Sequence, residues 1–193
     1  MNTALLLIDI QKDYFPDGAM ELEGSIEASL AARKILEFFR ERDMPLVHIQ
    51  HVSVRPGATF LLPNTPGMAI HENVLPLPDE TVVQKHYPNG FRDTPLLPHL
   101  RKQRISHVVL AGMMTHMCVE ATTRAAFDHG LQCTVVHDAC ATKSLSFGST
   151  TVPAAAVHAA ALAALGAVYA KVISAEGLLS NLGSWVRVKV ERQ

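Results

Sequence analysis

The chain has 193 residues, of which 48% are hydrophobic, with 17 basic and 18 acidic side chains and a formal net charge of −1. This composition fits one packed α/β domain and excludes a disordered chain. No basic tract stands out, so neither a nucleic acid nor an anionic membrane is an expected partner. The first apolar run, Ala4 to Ile8, has no basic lead-in and is too short for a signal h-region or a membrane span. Pro45–Gln50, Thr81–Gln84, His107–Ala111, Gln132–His137 and Ala167–Ile173 follow as further short, largely apolar runs. Buried parallel strands read this way, because both of their faces are covered.

Helical patterns separate most of these runs. Ala28, Ala31, Ala32, Ile35 and Phe39 recur on one helical face. So do Val119, Thr122, Thr123, Ala126 and Phe127, with Gly130 placed to stop the helix. Pro153 opens an Ala- and Leu-rich helix that His158 and Gly166 mark as a core helix and not a membrane span. The alternation predicts βαβ units and a doubly wound sheet. One domain over residues 1–193 is expected, with 180–193 as an extension. Its alternating segment Trp185 to Glu191 reads as an added strand, and a neighbouring subunit could supply the edge it needs. The Pro- and Gly-rich stretch Ser53 to Asp79 reads as a long binding loop or lid.

Doubly wound sheets bind ligands at the carboxyl ends of their strands. Asp9, Lys85 and Cys118 each follow such an end. Taken singly, Asp9 reads equally as a turn residue, Lys85 as a snorkelling surface lysine and Cys118 as a small buried hydrophobe. Together they supply a base, a cation and a nucleophile. Cys118 also stands where a strand gives way to a helix, a place expected to favour thiolate over thiol. Cys133 and Cys140 read as core residues; three cysteines without a CxxC pair fit a reducing, cytoplasmic setting and argue against a structural zinc site. His48, His51 and His71 could join a metal site, but no acidic residue lies between Asp43 and Glu72, so no metal is expected.

Three segments together resemble the isochorismatase-like cysteine hydrolases. They are Asp9-Ile10-Gln11-Lys12-Asp13-Tyr14-Phe15, Lys85 through Leu96, and Gly112 through Val119 continued by Arg124 to Asp128 and Asp138 to Ala141. The resemblance covers residues 3 to 178. It implies a Rossmann-like three-layer α/β/α sandwich with a central, mostly parallel six-stranded sheet, an Asp–Lys–Cys triad at Asp9, Lys85 and Cys118, a cis peptide between Met113 and Met114, and an oxyanion hole from the N–H groups of Met114 and Cys118. It implies no cofactor, and a homodimer or higher homo-oligomer. Metal-binding nicotinamidases of this family carry Asp-x-His after the second strand; here Gln50-His51 lacks the Asp, so the metal-free branch is the better match. True isochorismatases lack the nucleophilic cysteine. Cys118 therefore points to attack on the carbonyl of a small amide or related C–N bond. A thiol redox protein and a small-molecule binding module with an idle triad are the alternatives. Tyr14, Phe60, Phe91, His116 and Met117 are the expected pocket residues, and their largely uncharged character predicts a modest, mostly neutral ligand.

Overall fold

A computed structural model describes residues 2–181. Its eight strands are β1 (Thr3–Ile8), β2 (Leu46–His51), β3 (Thr81–Lys85), β4 (His107–Met113), β5 (Gln132–Ala141), β6 (Leu145–Phe147), β7 (Thr150–Val152) and β8 (Lys171–Ile173). The helices are α1 (Ser25–Arg40), α2 (Leu96–Lys102), α3 (Glu120–Asp128) and α4 (Ala154–Val168), and residues 175–181 are also helical. Six strands form one sheet in the order β3-β2-β1-β4-β5-β8, and every neighbouring pair is parallel. Chain order runs outward in both directions from β1 and β4, so the switch point lies between them. No helix among the described residues is long and apolar enough to cross a membrane.

The apolar runs of β1 and β4 follow from burial on both faces. Leu5 and Leu7 of β1 and Val109, Ala111 and Met113 of β4 join a core with Ala32, Ile35, Leu36 and Phe39 of α1. The intervening Ala4, Leu6, Ile8, Val108 and Leu110 face the other way, against Leu96, Leu100, Ala126 and Leu165 of α2, α3 and α4. Alternate residues of one strand thus feed two cores, which is what a three-layer sandwich requires.

Several boundaries differ from the sequence reading. The last strand is Lys171–Ile173 alone, because Ala167 and Val168 complete α4 before the turn at Tyr169. β5 runs on to Ala141, past a register shift against β4 between Leu110 and Gly112. The β6–β7 hairpin and α2 had no clear signal: three-residue strands are too short to show a period, and α2 holds a proline. The alternating segment Trp185 to Glu191 lies outside the described residues.

The 53–79 segment is anchored along its length. Asp13 accepts from the Leu61 N–H at 2.6 Å and from the Ala19 N–H at 3.2 Å. Gln11 bonds to both backbone groups of His51 and donates to the Met68 carbonyl. The rings of Phe15 and His71 stack 3.6 Å apart. The first loop after β1 therefore serves as the mooring of the long one.

Gly112 pairs with Ile8 across the switch point at φ +136°, and a Cβ there would sit on the Ile8 carbonyl oxygen. Both the backbone angle and the missing space require glycine. Gly112→Ala is expected to cost at least ~2 kcal/mol, read as a lower urea midpoint; an unchanged midpoint would mean that the two strand ends can part freely.

Candidate active site

Each candidate residue sits where a strand of the sheet ends. Asp9 leaves β1 in a left-handed conformation, φ 51°, with its N–H bonded to the Ile49 carbonyl at 2.9 Å. Aspartate tolerates this region better than most residues. Lys85 closes β3 and pairs in register with His51, the last residue of β2. Its side chain must cross the end of β2 to reach β1, and it does. The Met113–Met114 peptide after β4 is cis, and a π-helical turn, Thr115–Val119, carries Cys118 into α3. Thr115 ties this turn down by donating to the Ala141 carbonyl at 3.1 Å and pairing with His158 at 2.9 Å.

The three residues meet. Lys85 Nζ lies 2.6 Å from Asp9 Oδ2 and 3.3 Å from Cys118 Sγ. It also lies 3.0 Å from His51 Nδ1, a partner the sequence reading did not assign. Both side chains of the Asp9–Lys85 pair are 0% exposed. Asp9 Oδ1 is buried without a hydrogen-bond partner among the described residues. Burial works against the Lys85 ammonium, but Asp9 and Cys118 outweigh it and raise its pKa. The amine is thus held charged.

The thiol departs from expectation. Burial pushes the Cys118 pKa up, the Asp9 carboxylate pushes it further, and Lys85 only partly offsets them. The helix-start argument for a resting thiolate therefore fails here. Cys118 is 5% exposed and has a carboxylate at hand, so desolvation and like-charge repulsion exceed any pull from the helix. The resting state is a neutral thiol beside a lysine–aspartate ion pair.

Asp9, His51 and Cys118 each offer an atom within 4.8 Å of the others, a spacing that a metal ion could use. The donors do not fit one. All three converge on Lys85 Nζ, which already supplies the positive charge at their centre.

A cavity of about 230 Å³ opens over Cys118, lined by Tyr14, His51, Ser53, Val54, Arg55, Phe60, His86, Tyr87, Pro88, Met114 and Met117. Three of the five expected pocket residues, Tyr14, Phe60 and Met117, lie on it. Phe91 does not: it is 8% exposed in the core and meets His129 edge-on. His116 is turned away, bonded to Thr142 at 2.6 Å beside a separate groove along α4. Consecutive residues of the tight turn point to opposite sides, which residue type cannot reveal. The sequence reading missed the run from His51 to Arg55 and the His86-Tyr87-Pro88 run. Both immediately follow strand ends, and that position was the available signal.

A doubly wound sheet with a buried Asp–Lys–Cys cluster at its switch point is the frame of an α/β enzyme built around a thiol. The chain belongs to the isochorismatase family: the isochorismatase domain model matches residues 3–177. It is 48% identical over 179 residues to the uncharacterized isochorismatase family protein YddQ of Bacillus subtilis, covering 93% of this chain and 99% of that one. It is 36% identical over 166 residues to a streptothricin hydrolase of Streptomyces noursei, covering 84% and 65%. A crystal structure of an isochorismatase-family protein from Oleispira antarctica, 46% identical, superposes with a TM-score of 0.89 over 93% of this chain and 96% of that one. Other relatives bear the names of amidohydrolases.

Two outcomes test this electrostatic picture. Lys85→Met strands the buried Asp9 carboxylate and is expected to cost about 3–5 kcal/mol, measured by urea denaturation. Adding Asp9→Asn should recover part of that loss, and simple additivity would count against the pair. Separately, burial and Lys85 hold the His51 pKa down from 6.5 to about 4. The unfolded chain therefore binds a proton that the folded one refuses, and stability falls as pH drops from about 6.5 toward 4. His48, His71, His107, His116 and His158 shift the same way. His51→Gln should make the decline shallower without removing it; an unchanged slope would exclude His51 as a contributor.

Proposed function

We propose that the protein hydrolyses a small amide or related C–N bond through a thioester on Cys118. The observation that carries this reading is the placement of one ammonium, Lys85 Nζ, in contact with both the Asp9 carboxylate and the Cys118 sulfur at the floor of a pocket. In the proposed cycle the Cys118 sulfur attacks the substrate carbonyl carbon as its proton passes to Asp9. The unpartnered Oδ1 of Asp9 has a free lone pair for that proton. Transfer on attack suits a thiol whose pKa is raised, because the thiolate need never accumulate in a dry site.

The carbonyl oxygen gains charge and takes hydrogen bonds from the Met114 and Cys118 N–H groups, the assigned oxyanion donors. Collapse of the tetrahedral intermediate breaks the C–N bond, and Asp9 returns its proton to the leaving nitrogen. Asp9 then draws a proton from water as its oxygen attacks the thioester, and the sulfur leaves to recover that proton. Lys85 stays charged throughout. It pairs with Asp9 in the resting enzyme and faces the sulfur while negative charge builds there.

The redox alternative fits less well. A sensor thiol needs exposure and a low pKa, and Cys118 has neither. Cys133 and Cys140 are buried thiols whose pKa values burial pushes up to about 12, so they are poor resolving partners.

Cys118→Ala is expected to abolish turnover of any amide the wild type cleaves, by about 10⁴-fold or more. A mass increase equal to the acyl group should appear on the wild-type chain after a brief quench and be absent from the variant. Retained turnover in the variant would sink the thioester route. Neither adduct nor turnover across a broad amide panel would favour a binding module.

A further inference from the structure

The pocket wall facing Cys118 carries two donors that the proposed chemistry leaves unused. The first is on His51. Lys85 has three N–H bonds and no lone pair, so where its ammonium meets His51 Nδ1, the nitrogen must accept. The imidazole proton is then fixed on Nε2. That nitrogen has no partner among the described residues, and the ring lines the pocket. Burial and Lys85 together keep the ring neutral down to about pH 4, so it remains a single fixed donor at ordinary pH.

The second is Arg55, four residues further along the same segment. Its side chain has no hydrogen bond or ion pair among the described residues, yet it lines the pocket and acts electrostatically on His51. The loop that carries it is held in place. Ser53 donates to the Leu61 carbonyl at 2.9 Å, and the Leu61 N–H is gripped by Asp13. No carboxylate among the described residues lines the pocket. Asp9 and Lys85 cancel beneath it. Among the described lining residues Arg55 thus carries a positive charge with no ion-pair partner, which disfavours cationic ligands and favours anionic ones.

We propose that His51 Nε2–H and the Arg55 guanidinium form a subsite for a carboxylate on the substrate. The substrate class becomes the monoamide of a short dicarboxylic acid or a close analogue. This replaces the neutral ligand that an aromatic pocket list predicted. It rests on the same pocket serving as the substrate site. His51 thereby couples the two halves of the pocket: one ring nitrogen accepts from the triad lysine while the other donates to the substrate. Arginine suits the task because its planar fork matches a carboxylate and stays charged at every relevant pH.

The test compares malonamate, succinamate and glutaramate with neutral aliphatic amides of the same chain lengths. Wild-type kcat/KM should favour at least one charged amide over its neutral partner by roughly 10- to 100-fold, the range a charge-assisted hydrogen bond supplies. Arg55→Met should collapse that ratio mainly through KM, and Arg55→Lys should restore part of it. His51→Leu, which loses the donor, should also lower the ratio. Calorimetric binding of the same compounds to the Cys118→Ser protein separates this inference from the hydrolase reading. If Arg55-dependent binding of a charged amide occurs without hydrolysis of any compound by the wild type, the subsite stands and the hydrolase reading falls. Wild-type hydrolysis that ignores the carboxylate, a ratio unchanged in Arg55→Met, or no binding of any charged amide overturns the subsite.

Discussion

One buried ammonium organises the centre of this protein. Lys85 Nζ has three protons to give, and three strand ends each present one acceptor: Asp9 from β1, His51 from β2 and Cys118 beyond β4. A charge with no exposed surface can persist only if every donor is satisfied and a counter-charge is near. Meeting that demand fixes the relative positions of those three strand ends and of the turn after β4. The parallel register that places Lys85 opposite His51 is thus as much an electrostatic requirement as a matter of sheet geometry.

The supporting structure serves the same end. Gly112 lets β4 approach β1 closely enough for the Cys118 turn to hang over Asp9. Asp13 and Gln11, on the loop after β1, hold the long segment that forms the pocket wall. Farther out, Glu80 bonds Arg40 of α1 and His48 of β2. Burial alone would raise the Glu80 pKa; the bonds from Arg40, the Leu77 N–H and His48 lower it instead, to about 2. The layer holding α1 is thereby locked to the residues just before β3. These are polar devices at the edges of an apolar sandwich. Each fixes an angle or a distance that hydrophobic burial alone would leave free.

The central strands β1 and β4 were legible because burial on both faces keeps them almost wholly apolar. The Asp9–Lys85–Cys118 cluster was legible because Asp9 and Lys85 directly follow such runs and Cys118 lies in the turn after another, at the end where α/β sheets place their sites. Other features left no such trace. The protonation of Cys118 depends on which charges surround it in space, and a strand-to-helix junction does not reveal them. His51 showed itself only as a candidate metal ligand, because its lysine partner lies 34 residues away. Phe91 and His116 looked like pocket residues by type; Phe91 packs into the core instead, and the Thr115–Val119 turn directs His116 away. Arg55, inside a stretch dominated by turn residues, carried no periodic signal at all.

The raised pKa of Cys118 has a consequence for the fate of the protein in a chemically hostile setting. Alkylating agents, peroxides and disulfides react with thiolate, and the resting centre presents almost none. In the proposed cycle, reactivity is released only when an electrophilic carbonyl reaches the sulfur and the proton moves to Asp9. Such a centre discriminates by reaction type before it discriminates by shape. General thiol poisons should pass it by, and acylating compounds that fill the pocket should not.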